Sequence, residues 1–424
     1  MKKLFFSLIC WVLFGGVAYA QCAKVEIVET PDGFQLLRNG EPYYINGAGG
    51  TVELAKLKDY GGNSIRTWGI SDETDQILEE ALEHGLTVTF GIWMGQERQG
   101  FDYTNEDAIK GQLAEFRRVV RKYKDHPAIL LWGVGNEMDL DYSNFDVWKY
   151  LEEICQMIHE EDPNHPTMAV TAGLDVAEVK LINKFTPSLD ILGVNTYGNI
   201  AYLPEAMRVY GWKKPYVVAE WGPYGWWEVA KTKWGASIEE TSSQKARTYE
   251  KSFNAILGDK QSCLGSYVFL WGQKQEHTST WFGLFTEAGE ETEVMDILIQ
   301  GWRKNDPENF APTIAKFRLN DQRPVDNITV AAGTAMQGSV AIVDKENDPL
   351  RYEWQVIPES TDKRTGGDAE KAPKPLRGIF PKSTQNDNEV TFTAPDPGEY
   401  RLFLFVHDGK GKVATGNIPF KVIP

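Results

Sequence analysis

The sequence predicts a (β/α)8 TIM barrel followed by a C-terminal immunoglobulin-like β-sandwich, and three observations carry that prediction. Between Lys24 and Asn305, short apolar, β-branched runs alternate with amphipathic helical runs eight times. No Gly-rich phosphate loop follows the first run, which favours a closed barrel over an open doubly wound sheet. Beyond the polar, Pro-containing link Asn305–Pro312 the alternation falls to period two and helical stretches cease.

The eight runs place strands at Pro42–Gly49, Asn63–Trp68, Thr87–Trp93, Ile129–Gly135, Thr167–Ala172, Ile191–Thr196, Tyr216–Ala219 and Ser266–Trp271. After the second, Ser71 offers an N-cap to a helix whose apolar face is Ile77, Leu78, Ala81 and Leu82, and Gly85 stands where a left-handed C-cap belongs. After the third, Ile109, Leu113, Phe116, Val120 and Tyr123 recur at helical spacing until His126-Pro127 ends the helix. In the second domain Ser339–Val343, Leu350–Val356, Glu389–Thr393 and Glu399–His407 alternate between Asp348-Pro349, Asp396-Pro397-Gly398 and Asp408-Gly409 turns, as sandwich strands do. The polar insertion Lys363–Lys374 reads as a mobile loop.

The N-terminus carries Lys2 and Lys3, an apolar stretch from Leu4 to Val17, and Ala18-Tyr19-Ala20, the pattern of a cleaved export signal. The domain boundaries are therefore a signal peptide over 1–20, a barrel over 21–305 and a sandwich over 306–424. The destination is the periplasm, the cell surface or the exterior. Cys22 raises a lipid anchor, which Gln21 disfavours because a lipoprotein signal carries a small residue there. No later window reaches the roughly 20 apolar residues of a membrane span. Removal of the leader, which carries Cys10, leaves Cys22, Cys155 and Cys263, an odd number without CxxC spacing, so neither a disulfide framework nor a thiolate metal site is suggested, and Cys155 and Cys263 read as core. Asp344, Glu346 and Asp348 alternate like calcium ligands but lack a second half and read as a solvated turn. No cofactor is required. The formal charge of −16, or −18 without Lys2 and Lys3, opposes nucleic acid and anionic membrane as partners.

In such a barrel the chemistry lies where strands end. Arg66 closes the second strand, Asn136-Glu137 the fourth, Asn195 and Tyr197 the sixth, Glu220 the seventh and Trp271 the eighth. Glu137 and Glu220 thus reach the mouth from opposite sides, as two carboxyl groups flanking one glycosidic bond must; retention requires them about 5 Å apart. Trp221, Tyr224, Trp226, Trp227 and Trp234 crowd the loop after the seventh strand, and Trp271, Trp281 and Phe282 follow the eighth. Trp221, Trp226, Trp227, Trp271 and Trp281 are candidates for stacking on pyranose rings. Trp93 and Trp132, inside strands, read as core.

Trp132-Gly133-Val134-Gly135-Asn136-Glu137, Val217-Val218-Ala219-Glu220-Trp221-Gly222, Gly62-Asn63-Ser64-Ile65-Arg66 and Val194-Asn195-Thr196-Tyr197 resemble the strand ends of the clan A retaining glycosidases, which include families 2 and 5. Within the clan the chain most resembles family 158, the endo-β-1,3-glucanases, whose members carry a similar domain after the barrel. The resemblance implies Glu137 as acid/base, Glu220 as nucleophile and a laminarin-type glucan as substrate. In the mechanism it implies, Arg66 and Tyr197 keep Glu220 ionised, that charge raises the pKa of Glu137, and Asn136 bonds the sugar 2-hydroxyl. None of the six histidines closes a strand, unlike the usual family 5 pattern. A mannanase or other clan A glycanase, a transglycosylase and a non-catalytic glycan-binding protein are the alternatives.

Overall fold

The computed structural model describes residues 22–380 and 387–424; the expected export signal lies outside them. The chain first forms an antiparallel sheet that the sequence reading missed, β1 (Val25–Thr30), β2 (Gly33–Arg38) and β3 (Glu41–Pro42). Its signal was the Pro31-Asp32-Gly33 turn. A Cβ at Gly33 would lie 2.2 Å from the Gln261 carbonyl, so only glycine lets the hairpin dock there. The sheet carries Val25 and Leu36 into one apolar cluster with Ile45, Leu130, Met168, Val217 and Tyr267.

The barrel follows as eight parallel strands, β4 (Ile45–Gly49), β5 (Ser64–Arg66), β6 (Thr87–Ile92), β7 (Ile129–Val134), β8 (Thr167–Ala172), β9 (Ile191–Asn195), β10 (Tyr216–Trp221) and β11 (Cys263–Val268), closed by pairing of β11 with β4. Each is followed by a helix: α1 (Leu54–Asp59), α2 (Thr74–Glu83), α3 (Glu106–Tyr123), α4 (Asp146–Glu161), α5 (Val176–Phe185), α6 (Leu203–Tyr210), α7 (Ser242–Gly258) and α8 (Glu293–Arg303). Every residue of β6, β7, β10 and β11 is buried, because helices cover the outer face and side chains fill the bore.

The boundaries differ where polar groups compete with the pattern. Helix α2 starts at Thr74 because Ser71 forms a turn instead, its Oγ accepting the Glu73 amide at 3.2 Å. Helix α3 is capped by Asn105, whose side chain accepts the Ala108 amide at 3.1 Å, and stops before His126-Pro127. The eighth strand runs three residues earlier than expected, so Trp271 falls in the loop beyond it.

The C-terminal domain packs β12 (Thr313–Leu319), β14 (Ala335–Val343) and β16 (Glu389–Thr393) against a sheet of β13 (Thr329–Ala331), β15 (Arg351–Pro358), β17 (Gly398–His407) and β18 (Val413–Ile423). Trp354, Leu319, Leu402, Leu404, Ile418 and Phe420 fill the space between them. The sequence reading missed β18 because Gly416 and Pro419 look like breakers. Pro419 is tolerated because β13 pairs β18 only from Lys421 onward and asks no hydrogen bond of it. Asp344, Glu346 and Asp348 form a turn in which Asp344 accepts the Asp348 amide at 2.7 Å and Lys410 pairs with Asp348 at 2.6 Å. Cys155 and Cys263 are buried.

Buried ion pairs lock sandwich to barrel. Lys412 meets Asp296 at 2.7 Å and Glu291 at 2.8 Å. Arg401 donates to the Ser237 carbonyl at 2.8 Å, and Asn417 donates to Glu239, which Lys245 neutralises at 2.6 Å. The Lys363–Lys374 insertion, expected to be a mobile loop, is instead bonded to the barrel rim: Lys274 donates to the Gly367 carbonyl at 2.7 Å and Arg98 pairs with Asp368 at 3.0 Å.

Candidate active site

A cavity of about 660 Å3 opens at the C-terminal ends of the barrel strands, and Glu137 and Glu220 both line it. Its size falls in the ~300–1,000 Å3 range of small-molecule sites.

Glu137 is delivered by a sharp turn after β7. Gly135 (φ 70°) and Glu137 itself (φ 50°) are left-handed, and a side chain at Gly135 would collide with the Met138 sulfur. A glutamate in that region is strained, and the surroundings hold it there. Its amide donates to the Val170 carbonyl at 2.9 Å, and Asn195 Nδ2 donates to Oε1 at 2.8 Å. Burial, and then the negative charge of Glu220, push the Glu137 carboxyl up to about 7. Asp139, two residues on, is also raised to about 7, by burial and by Glu178.

Glu220 is held by three side-chain donors. Arg66 Nη1 and Trp68 Nε1 each donate to its Oε1 at 2.8 Å, and the Tyr197 hydroxyl donates to Oε2 at 3.1 Å. Burial, and then the charges of Glu220 and Glu137, raise the Tyr197 phenol well above its usual range, so it stays protonated and donates. The Arg66 guanidinium lies 5.3 Å from the Trp68 ring, and its Nη2 donates to Asn136 Oδ1 at 2.7 Å. Asn195 also donates to that oxygen, at 3.2 Å. Asn136 Nδ2 then has no protein partner among the described residues and is free to meet a ligand in the cavity it lines.

Of the five tryptophans expected to touch sugar, two line the cavity. Trp226 and Trp227 stand edge to face at 5.2 Å, and Trp227 is half exposed. The other three are corrected. Trp221 follows an inward-facing residue on a strand, so it faces outward onto Tyr249 and Phe253 of α7 at 5.3 and 5.9 Å. Trp271 is buried against Phe285 and Trp302, and Trp281 is buried behind Tyr197 with its indole donating to the Tyr224 carbonyl at 3.0 Å. Trp93, read as core, lines the cavity because β6 ends one residue before it. Trp68 was missed as a site residue although it closes the same run as Arg66; the strand-end rule points to it. Glu228, Lys274 and Glu276 also line the cavity, and nothing in their local sequence announces it.

Residues 75–224, which include both glutamates, match the family model described as "Glycosyl hydrolases family 2, TIM barrel domain". A β-glucuronidase of Chlorocebus aethiops is 24% identical over 186 residues, covering 38% of this chain and 26% of that protein. A β-mannosidase of Capra hircus is 24% identical over 292 residues, covering 57% of this chain and 31% of that protein. The matches thus take in about a quarter to a third of those curated relatives. Among solved structures, a β-glucuronidase of an uncultured Clostridium sp. superposes with a TM-score of 0.51 at 21% identity, over 67% of this chain and 54% of that one. Bacteroides uniformis β-glucuronidase 2 superposes with a TM-score of 0.51 at 16% identity, over 95% of this chain and 48% of that one. At these identities the superpositions establish the fold, and the stretch of barrel that carries Glu137 and Glu220 is similar to the family 2 glycosyl hydrolase TIM-barrel domain.

Proposed function

We propose that this protein is a retaining glycoside hydrolase with Glu137 as acid/base and Glu220 as nucleophile. One observation carries the reading: two carboxyl groups share one cavity, one held by three donors including an arginine, the other raised to about 7 by burial and its partner's charge. Protonated Glu137 gives its proton to the leaving sugar oxygen as a Glu220 oxygen attacks the anomeric carbon. The C–O bond to the leaving group breaks and an ester to Glu220 forms. The lost charge on Glu220 lowers the Glu137 pKa, so Glu137 then takes a proton from the water that cleaves the ester. Asn136 Nδ2 is placed to bond the hydroxyl next to the reacting carbon.

The substrate we infer is a neutral β-glucan of the β-1,3-linked, laminarin type, cleaved within the chain. Its linkage and the internal cut rest on the likeness to family 158. The neutral charge has support in the cavity. The curated relatives include β-glucuronidases, whose name implies a sugar carboxylate. Here Glu228, Glu276 and Asp368 line the cavity beside the two glutamates, and Lys274, the one cation among the described residues lining it, is tied to Glu276 at 2.9 Å and to the Gly367 carbonyl at 2.7 Å. An anionic sugar would find no unpaired cation among the described residues that line the cavity.

Reducing-end release by wild type and Glu220→Ala on laminarin, barley β-glucan, carboxymethyl cellulose and mannan, with an aryl β-glucuronide alongside, tests both levels. Laminarin cleavage lost in the variant, with the β-anomer formed first by NMR, is expected. Turnover of mannan or the glucuronide alone keeps the mechanism and discards the glucan. A variant as active as wild type removes Glu220 from the mechanism.

A further inference from the structure

The geometry points to a substrate subsite wall contributed by the sandwich domain: the Thr365–Asp368 strap crosses the barrel mouth and helps hold the glycan chain next to the bond that is cut. The inference rests on the hydrolase reading above and extends it to a domain that the reading leaves without a role.

Thr365, Gly366, Gly367 and Asp368 line the same cavity as Glu137 and Glu220 although they are more than a hundred residues away in sequence and belong to the other domain. The strap grips the rim, not the barrel body. On the side of the loop after β6, Arg98 pairs with Asp368 at 3.0 Å and donates to the Thr365 carbonyl at 3.3 Å, while Gln99 donates to Asp368 at 3.2 Å. On the side of the loop after β11, Lys274 holds the Gly367 carbonyl and the His277 amide donates to Glu370 at 2.7 Å. Docking of the domains does not need these contacts, since buried pairs through Lys412 and Arg401 already provide it.

The close approach is built into the sequence. Gly366 and Gly367 have φ of 65° and 72°; a Cβ on Gly366 would sit 2.7 Å from the Arg98 guanidinium and 3.0 Å from Leu140, three residues after Glu137, and one on Gly367 would sit 2.9 Å from Lys274 Nζ. The amides of Gly366, Gly367 and Asp368 donate to no other group among the described residues, which leaves them as donors for sugar hydroxyls. Two glycines and an aspartate thus lay bare backbone along the cavity, where a polar chain can be read by hydrogen bonds.

Two variants loosen the strap from opposite sides. Asp368→Ala removes a partly exposed ion-pair partner whose loss should not unfold the protein, and Arg98→Ala releases the same contact from the barrel. Each is assayed on whichever polysaccharide of the panel the wild type cleaves, with product lengths resolved by chromatography and with an aryl β-glycoside of the same sugar as a short substrate. A rise of at least fivefold in KM for the polymer, an altered product-length distribution, a smaller loss on the aryl glycoside, and a double variant no worse than either single one are expected. Unchanged polymer KM and product lengths in both variants, with wild type active, would overturn the strap's role and leave the hydrolase reading standing. If the wild type turns over only an aryl glycoside, the polymer subsite falls while the hydrolase reading stands; if it turns over neither polymer nor aryl glycoside, the hydrolase reading falls and takes the subsite with it. Melting curves of both variants show whether a lost activity reflects unfolding; should either unfold, the product lengths from the other decide.

Discussion

Trp68 shows how a single indole can act in this site. Its Nε1 donates to the same Glu220 oxygen as Arg66, and its ring lies against the guanidinium. A hydrogen bond to a charged group contributes ~1.5–3 kcal/mol, so Trp68→Phe should lower kcat about 10- to 100-fold, with a smaller change in KM, in steady-state kinetics. Glu137 makes a prediction of different kind. Its carboxyl is raised from 4.5 to about 7, and it must be protonated to act as acid, so kcat/KM should fall as pH rises through about 7. Asn195 pulls that value down by donating to the ionised form. Asn195→Ala should therefore move the alkaline limb to higher pH, and a limb that stays put would separate it from Glu137. The same shift has a stability sign. The folded state binds the Glu137 proton more tightly than the unfolded state, so this group's contribution declines as pH rises from about 4.5 through about 7. Glu137→Gln should raise Tm more at pH 8 than at pH 5.

At the scale of elements, the alternation of a strand decides which neighbour of a functional residue is functional. On β10, Glu220 turns into the bore, so Trp221 turns out to α7. The two classes of tryptophan should separate by experiment. Trp221→Ala, Trp271→Ala and Trp281→Ala each empty a buried site and should cost ~3–5 kcal/mol, read as a lowered denaturation midpoint. Trp227→Ala, half exposed at the cavity, should leave the midpoint nearly unchanged and raise KM for the glycan. The local pattern carries this much: alternation places Trp221 without any coordinates, and the end of a run places Arg66 and Trp68. Alternation does not place Trp281 and Trp271, because they follow β11 in a loop whose path depends on contacts with Phe285, Trp302 and Tyr197 from elsewhere in the chain.

At the scale of the molecule, barrel and sandwich share buried charge. Glu239, Glu291 and Asp296 are barrel residues that meet Asn417 or Lys412 of the sandwich. Removing one partner of a buried pair costs ~3–5 kcal/mol because the other stays behind uncompensated. The full chain should therefore melt in one calorimetric transition. Ending it at Asn305 should leave a barrel that is markedly less stable or fails to fold, and two independent transitions would contradict this coupling.

The sequence by itself determined the eight strands, the helices between them and the two glutamates at opposite sides of the mouth. Those follow from hydrophobic period and strand ends, which are local properties of the chain. Tertiary structure alone decided where the loop tryptophans Trp226, Trp227, Trp271 and Trp281 lie relative to the cavity, that Glu228, Lys274 and Glu276 line it, and that a polar insertion read as a mobile loop lies against the barrel mouth. Each of these depends on contacts between residues far apart in the chain, whose partners no local pattern names.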